Sequence, residues 1–229
     1  MKKVISFSLW GNDPKYTIGA IKNARLTKSI FPNWECWVYC GESVDSKIID
    51  SLQKESAKII IKKESGPWTG TFWRFETIAD PNVEIFISRD TDSRLSKREY
   101  YAVEEWMSSD KLFHVMRDHP AHTVPILAGM WGAKKPILSD INHLINFFKN
   151  SHLWNPSEKQ LDQIFLKQII WPRVAYTTMT HDPFFEKKPF PSARMNYEFV
   201  GDVFDENDKR HPDYWKDIEN ICKMNGFPI

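Results

Sequence analysis

From residue 4 to residue 88 the chain alternates short apolar runs with amphipathic ones, and this rhythm restricts its architecture more than any other feature. Residues 4–9 alternate apolar and small polar side chains, and Gly11-Asn12-Asp13-Pro14 then breaks the pattern. After the break, Tyr16, Ile18, Ile21 and Leu26 recur at helical spacing to about Ile30. Residues 34–40 predict a second strand, 45–55 a second helix, and the Ile59-Ile60-Ile61 run a third strand. A β-α-β-α-β order predicts an α/β fold with a mainly parallel central sheet and helices on both faces.

Beyond a Gly/Pro-bearing loop, residues 71–79 have helical spacing, and residues 83–88 form an apolar strand that runs into Arg89-Asp90-Thr91-Asp92-Ser93. Later spacing predicts a helix over 97–108, a strand over 112–117 and a glycine-bounded segment over 128–133. Helices follow near 138–149 and 158–170, then a strand around 174–178 and a closing helix over 212–224. No repeat or linker interrupts this order, so residues 1–229 read as one domain.

Charge excludes some functions. The 31 basic and 30 acidic residues are interspersed and give a net charge of +1, so no basic field favours nucleic acid or anionic lipid. No apolar run reaches the ~18 residues that cross a bilayer. Three cysteines, Cys36, Cys40 and Cys222, do not make a secreted disulfide framework and predict a reducing, cytoplasmic setting. Ten tryptophans are unusual for this length, and a few of them near loops would suit stacking on sugars or bases.

Asp90-Thr91-Asp92 is the strongest chemical signal. In extended backbone, residues i and i+2 project to one side, so two carboxylates can converge on a hard divalent cation such as Mg²⁺ or Mn²⁺. Two aspartates capping a turn before the next helix is the plainer alternative. Ligands in open α/β sheets lie beyond the carboxyl ends of strands, and both the 11–13 and the 89–93 loops fall there.

The stretch Ile85-Phe86-Ile87-Ser88-Arg89-Asp90-Thr91-Asp92 resembles the strand and D-x-D of GT-A glycosyltransferases. The opening from Ser6 through Trp10, Asn12 and Tyr16 to Ala20 is similar to the glycogenin-like branch, and Leu161-Asp162-Gln163-Ile164 resembles that branch's Asp-Gln motif. With Arg117-Asp118-His119-Pro120 and Phe199-Val200-Gly201-Asp202, the whole chain looks like the small glycosyltransferase domains encoded by large algal DNA viruses.

The resemblance implies a UDP-sugar donor, a carbohydrate or other hydroxyl acceptor, retention of anomeric configuration, and host cytoplasm if the chain is viral. It places Leu9, Trp10, Asn12 and Tyr16 around the nucleoside, Asp90 and Asp92 at the metal, and Thr91 with them in the nucleotide-sugar site. It sets Arg74 near the diphosphate or sugar, Gly129 where the sugar or acceptor comes close, and Asp162 and Gln163 on the reacting side. Asp118 and His119 are implied at the acceptor. The late motif departs from the family's H-x-x-G-x-x-K-P-W, since His181 and Lys188-Pro189-Phe190 are present without the glycine and at different spacing. His181 is expected as a third metal ligand and Lys188 as a phosphate contact.

His114, His119 and His122 lack the companions and spacing of a zinc site. Paired aspartates also serve nucleotidyltransferases and phosphohydrolases, but no glycine-rich phosphate loop occurs. A non-catalytic sugar-binding module built on the tryptophans is the remaining alternative.

Overall fold

The computed structural model describes residues 1–225. Strand β1 (Lys2–Leu9) leads to α1 (Pro14–Ile30), β2 (Glu35–Gly41), α2 (Ser46–Lys54) and β3 (Lys58–Lys62). A 3-10 segment (Thr69–Ala79) precedes β4 (Val83–Arg89), α3 (Lys97–Met107), β5 (Phe113–Met116) and β6 (Met130–Lys134). Helices α4 (Ile141–Lys149) and α5 (Leu161–Phe165) follow, and a π-helical stretch (Leu166–Ile170) joins α5 to α6 (Trp171–Val174). The chain closes with β7 (Thr178–His181) and α7 (Pro212–Asn225).

The seven strands form one sheet in the order β3-β2-β1-β4-β6-β5-β7. Strands β1 to β4 are mutually parallel, β6 runs antiparallel to both β4 and β5, and β7 is parallel to β5. Because β6 is reversed, its first residues lie at the carboxyl end of β4, where Met130 pairs with Arg89.

Each sheet face carries its own core. On one, Phe72, Phe75, Phe148, Phe165 and Trp131 pack under the 3-10 segment, α4 and α5. On the other, Ala20 and Ala24 of α1, Leu52 of α2, and Val103 and Trp106 of α3 cover Ile5, Phe7, Val38 and Ile87. Full burial of side chains of this size contributes roughly 1.5–3 kcal/mol each.

Two elements differ from their sequence periodicity. Residues 69–79 coil as a 3-10 helix because the segment lies flat on β1, tied by Ser6 Oγ to Thr77 Oγ1 at 2.7 Å and by the Arg74 amide donating to Ser8 Oγ at 3.0 Å. The serines that alternate with apolar residues in β1 are buried partners for this neighbour. The strand expected over 174–178 begins only at Thr178, since Trp171 to Thr177 stay helical.

Candidate donor cleft

An open cleft of about 800 Å³ lies beyond the carboxyl ends of β1 and β4. Trp10, Asn12, Lys15 and Tyr16 form one lip, Asp90 and Asp92 the mouth, the buried Arg74 and Asp162 with Gln163 the floor, and Gly201, His211 and Tyr214 a further wall, of which His211 also meets Lys15 in a neighbouring recess.

Local chemistry sets the first lip. Asp13 caps α1 by accepting from the Lys15 amide at 2.9 Å, with Pro14 in the first turn. Asn12 donates to the Ser43 carbonyl at 2.9 Å and accepts from the Asp45 amide at 2.9 Å, which locks this loop to the one after β2. Trp10 stands edge-on to Trp68 and Trp73, with ring centres 6.5 and 6.1 Å away, while Tyr16 is 39% exposed. Leu9 is 1% exposed and belongs to the core, so its side chain does not reach a nucleoside.

Past Arg89 the backbone turns, so Asp90 and Asp92 meet at the mouth through a turn rather than through continued extension. Ser93 Oγ closes it by donating to the Asp90 carbonyl at 2.9 Å. The buried Thr91 carbonyl accepts from Asn23 of α1, and a Cβ on Gly19 would overlap that carbonyl.

Each carboxylate has its own cation. Arg74 contacts Asp90, donates to the Arg89 carbonyl at 2.9 Å, and reaches Asp162 Oδ2 at 3.4 Å. Lys15 Nζ lies 2.8 Å from Asp92 Oδ2. Burial and then the neighbouring Asp90 charge raise the Asp92 pKa, against the pull of Lys15. Burial pushes the Asp162 carboxyl up to about 6, with Arg74 opposing. Gln163 is committed to the scaffold, because Oε1 accepts the Ala128 amide at 2.7 Å.

Gly129 borders the cleft, but the group that comes close to it is protein: a Cβ there would overlap the Asp90 carboxylate. Thr91 is buried in the turn between Asp90 and Asp92 and does not line the cleft, and four more expected residues lie elsewhere. His181 is buried at the end of β7, its Nδ1 2.8 Å from His114 Nε2 and its Nε2 3.3 Å from Glu105, so neither ring nitrogen turns to Asp90 or Asp92. Lys188 pairs on the surface with Glu186 at 2.6 Å. Asp118 is fully buried between Arg98 at 2.7 Å and Arg194 at 2.6 Å and also accepts the Val200 amide. His119 uses both ring nitrogens, one on the Tyr214 carbonyl at 2.9 Å and one on the Ala121 amide at 3.0 Å. Asp118 and His119 therefore hold the carboxyl-terminal wall in place instead of meeting an acceptor.

Among the described residues, no three His, Cys, Asp or Glu side chains cluster as a metal cage. Asp90, whose side chain is 49% exposed, and Asp92 supply hard oxygens from two carboxylates. Mg²⁺-type ions bind through one or two carboxylates together with substrate phosphates and water, and the pair fits that mode.

No protein-family model and no curated protein sequence matches the chain. Among solved structures, the glycosyltransferase GlyE of Streptococcus pneumoniae TIGR4 aligns over 80% of this chain and 45% of its own, at 14% identity and TM-score 0.51. A putative glucose-1-phosphate thymidylyltransferase of Bacillus anthracis aligns over 79% of this chain and 86% of its own, at 9% identity and TM-score 0.50. The chain has the GT-A fold. A glycosyltransferase involved in glycosylating the major capsid of PBCV-1 aligns over 80% of this chain and 82% of its own, at 20% identity and TM-score 0.47. Solved structures of similar shape are mostly glycosyltransferases, with nucleotidyltransferases among them. GT-A scaffolds host both chemistries, so the activity has to be argued from the cleft.

Sequence reading missed Lys15, Trp68, Lys159, His211 and Tyr214 as cleft residues. Lys15 alone carried a usable signal, lying between the loop after β1 and Tyr16.

Proposed function

We propose that this chain is a glycosyltransferase that takes a sugar from a UDP-sugar, with Mn²⁺ or Mg²⁺ at Asp90 and Asp92, and gives it to a hydroxyl of a carbohydrate or other acceptor. The observation that carries the reading is the meeting of Asp90 and Asp92, at the mouth of one cleft, with Lys15 of the lip and Arg74 of the floor, beside the aromatic rings of Trp10 and Tyr16. A planar, partly exposed aromatic lip suits a base, and the cationic side chains suit a diphosphate. When bound, the cation would offset the negative charge that grows on the departing UDP.

The protein's own part is positioning. Arg74 holds Asp90 and stands between it and Asp162, while Gln163 fixes the segment that leads to Gly129. In this reading the acceptor oxygen bonds to the anomeric carbon on the face from which UDP departs, the bond from that carbon to the diphosphate oxygen breaks, the hydroxyl proton passes to the departing phosphate, and configuration is retained. The setting is the cytoplasm, of a host if the chain is viral; all three cysteines are buried free thiols, and among the described residues no helix is long and apolar enough to cross a membrane.

Calorimetric titration of UDP with Mn²⁺ and again with EDTA, beside GDP and ADP, tests the reading. Metal-dependent, uridine-selective binding that disappears in Asp90→Ala supports it. Unimpaired binding in that variant removes the site assignment. The likeness to a thymidylyltransferase favours nucleotidyl transfer as the second reading. Pyrophosphate release, in place of a glycoside or free sugar, would select it.

A further inference from the structure

Lys15 stands against Asp92, one of the two carboxylates that the reading above gives to the metal, so its ammonium and the metal would compete for the same oxygen. Its backbone is fixed in the first turn of α1, where its amide donates to Asp13. Its ammonium reaches across to Asp92 Oδ2 at 2.8 Å and passes 5.1 Å from the centre of the Tyr16 ring. The Asp92 side chain is 17% exposed, so this contact covers the carboxylate that a metal would need.

The formal charges of Asp90, Asp92, Arg74 and Lys15 cancel, and Asp162 beside Arg74 brings the cluster to one negative charge when ionised. A bare divalent cation entering this set leaves one uncompensated positive charge. A divalent cation carrying a nucleoside diphosphate sugar, with its two negative charges, adds none. The electrostatics therefore favour joint entry of metal and diphosphate over entry of metal alone.

Lysine suits this exchange better than arginine would. It is a point charge on a flexible four-carbon arm, whereas the guanidinium of Arg74 is held at several points. Room for the arm exists beside the cleft, where Lys15 also borders a recess of about 300 Å³ with Phe204, Lys209 and His211.

We propose that Lys15 is the resident counter-ion of Asp92, that a divalent cation must displace it, and that the freed ammonium then engages the diphosphate so that metal and nucleotide bind together. The second half rests on the donor-site reading above; the first half concerns metal alone.

Free Mn²⁺ measured by electron paramagnetic resonance, with and without UDP, separates the two halves. Lys15→Met should bind bare Mn²⁺ roughly three- to tenfold tighter than the parent protein, as removal of a partly buried competing cation implies. Lys15→Arg, which keeps the charge, should stay close to the parent, and Asp92→Asn should bind bare Mn²⁺ more weakly than the parent. UDP should tighten Mn²⁺ binding in the parent by a larger factor than in Lys15→Met. Equal or weaker bare Mn²⁺ binding in Lys15→Met, or undetectable binding in both proteins, overturns the counter-ion role. A parent protein whose Mn²⁺ affinity ignores UDP defeats the donor-site reading, and leaves the bare-metal comparison to decide Lys15 by itself.

Discussion

Gly129 and Asp90 occupy adjoining strand ends such that a Cβ on the glycine would overlap Oδ2 of the aspartate. The antiparallel pairing of β6 with β4 brings the two together, since Met130 lies opposite Arg89. The absent side chain at 129 is therefore what lets Asp90 face the mouth of the cleft.

Gly129→Ala should displace Asp90 and weaken metal-dependent UDP binding at least tenfold, while costing roughly 1–3 kcal/mol of stability through overpacking. Calorimetry beside thermal unfolding checks both. Native UDP affinity in a folded Gly129→Ala protein would show that Asp90 does not need this space.

Asp162 carries a pH signature. Burial, with the Asp90 charge adding and Arg74 opposing, holds its folded pKa at about 6, against an ordinary value of 3.8. An acid whose pKa is raised on folding binds its proton more tightly in the folded state. Its contribution to stability therefore falls as pH rises through about 4 to 6, and the cost is complete above that window. Asp162→Asn should remove this slope and gain on the order of 2 kcal/mol at pH 7 relative to pH 4, compared with the parent. Urea unfolding across the same pH range measures it, and parallel profiles for the two proteins would refute the assignment.

Asp118 should behave as a structural anion. Asp118→Asn leaves Arg98 and Arg194 buried beside a neutral amide, and removing one partner of a buried ion pair typically costs about 3–5 kcal/mol. A lowered urea midpoint, with loss of the wall that carries His211 and Tyr214, is the expected outcome. A protein of unchanged stability with a raised acceptor KM would restore the acceptor role.

His181→Gln should leave Mn²⁺ affinity, with and without UDP, within a factor of two of the parent, because both ring nitrogens are spent on His114 and Glu105. Stability should fall by about 1–3 kcal/mol as the buried His114 loses its partner. A large drop in Mn²⁺ affinity at full stability would reinstate His181 as a ligand.

The legible parts of the chain were those governed by neighbours in sequence. Alternation in 4–9 and helical spacing from Tyr16 to Ile30 marked β1 and α1, and the apolar run into Asp90 marked β4 with the acid pair at its end. Partnerships across the sheet left no comparable trace. His181 and Lys188 followed a family motif of altered spacing, and the structure draws them to Glu105, His114 and Glu186. Asp118 and His119 were set at the acceptor by family resemblance alone, and the arginines and backbone that absorb them come from α3 and the 192–214 region. The turn of Asp90 to Ser93 depends on Asn23 and Gly19, distant residues that no local pattern ties to an acidic turn.

Gly19 has a mechanical consequence. With no side chain between them, α1 and the Thr91 carbonyl are in direct register, and Asn23 stitches the same helix to Thr91 and Ser93. The lip that bears Tyr16 and the turn that bears Asp92 therefore travel as one jaw. The 203–208 segment belongs to the same body, since the Phe204 amide donates to the Asp92 carbonyl at 2.8 Å and Asp208 pairs with both Lys22 of α1 and Arg94, so a shift of α1 is felt at once by the acidic turn and by the chain beyond Gly201.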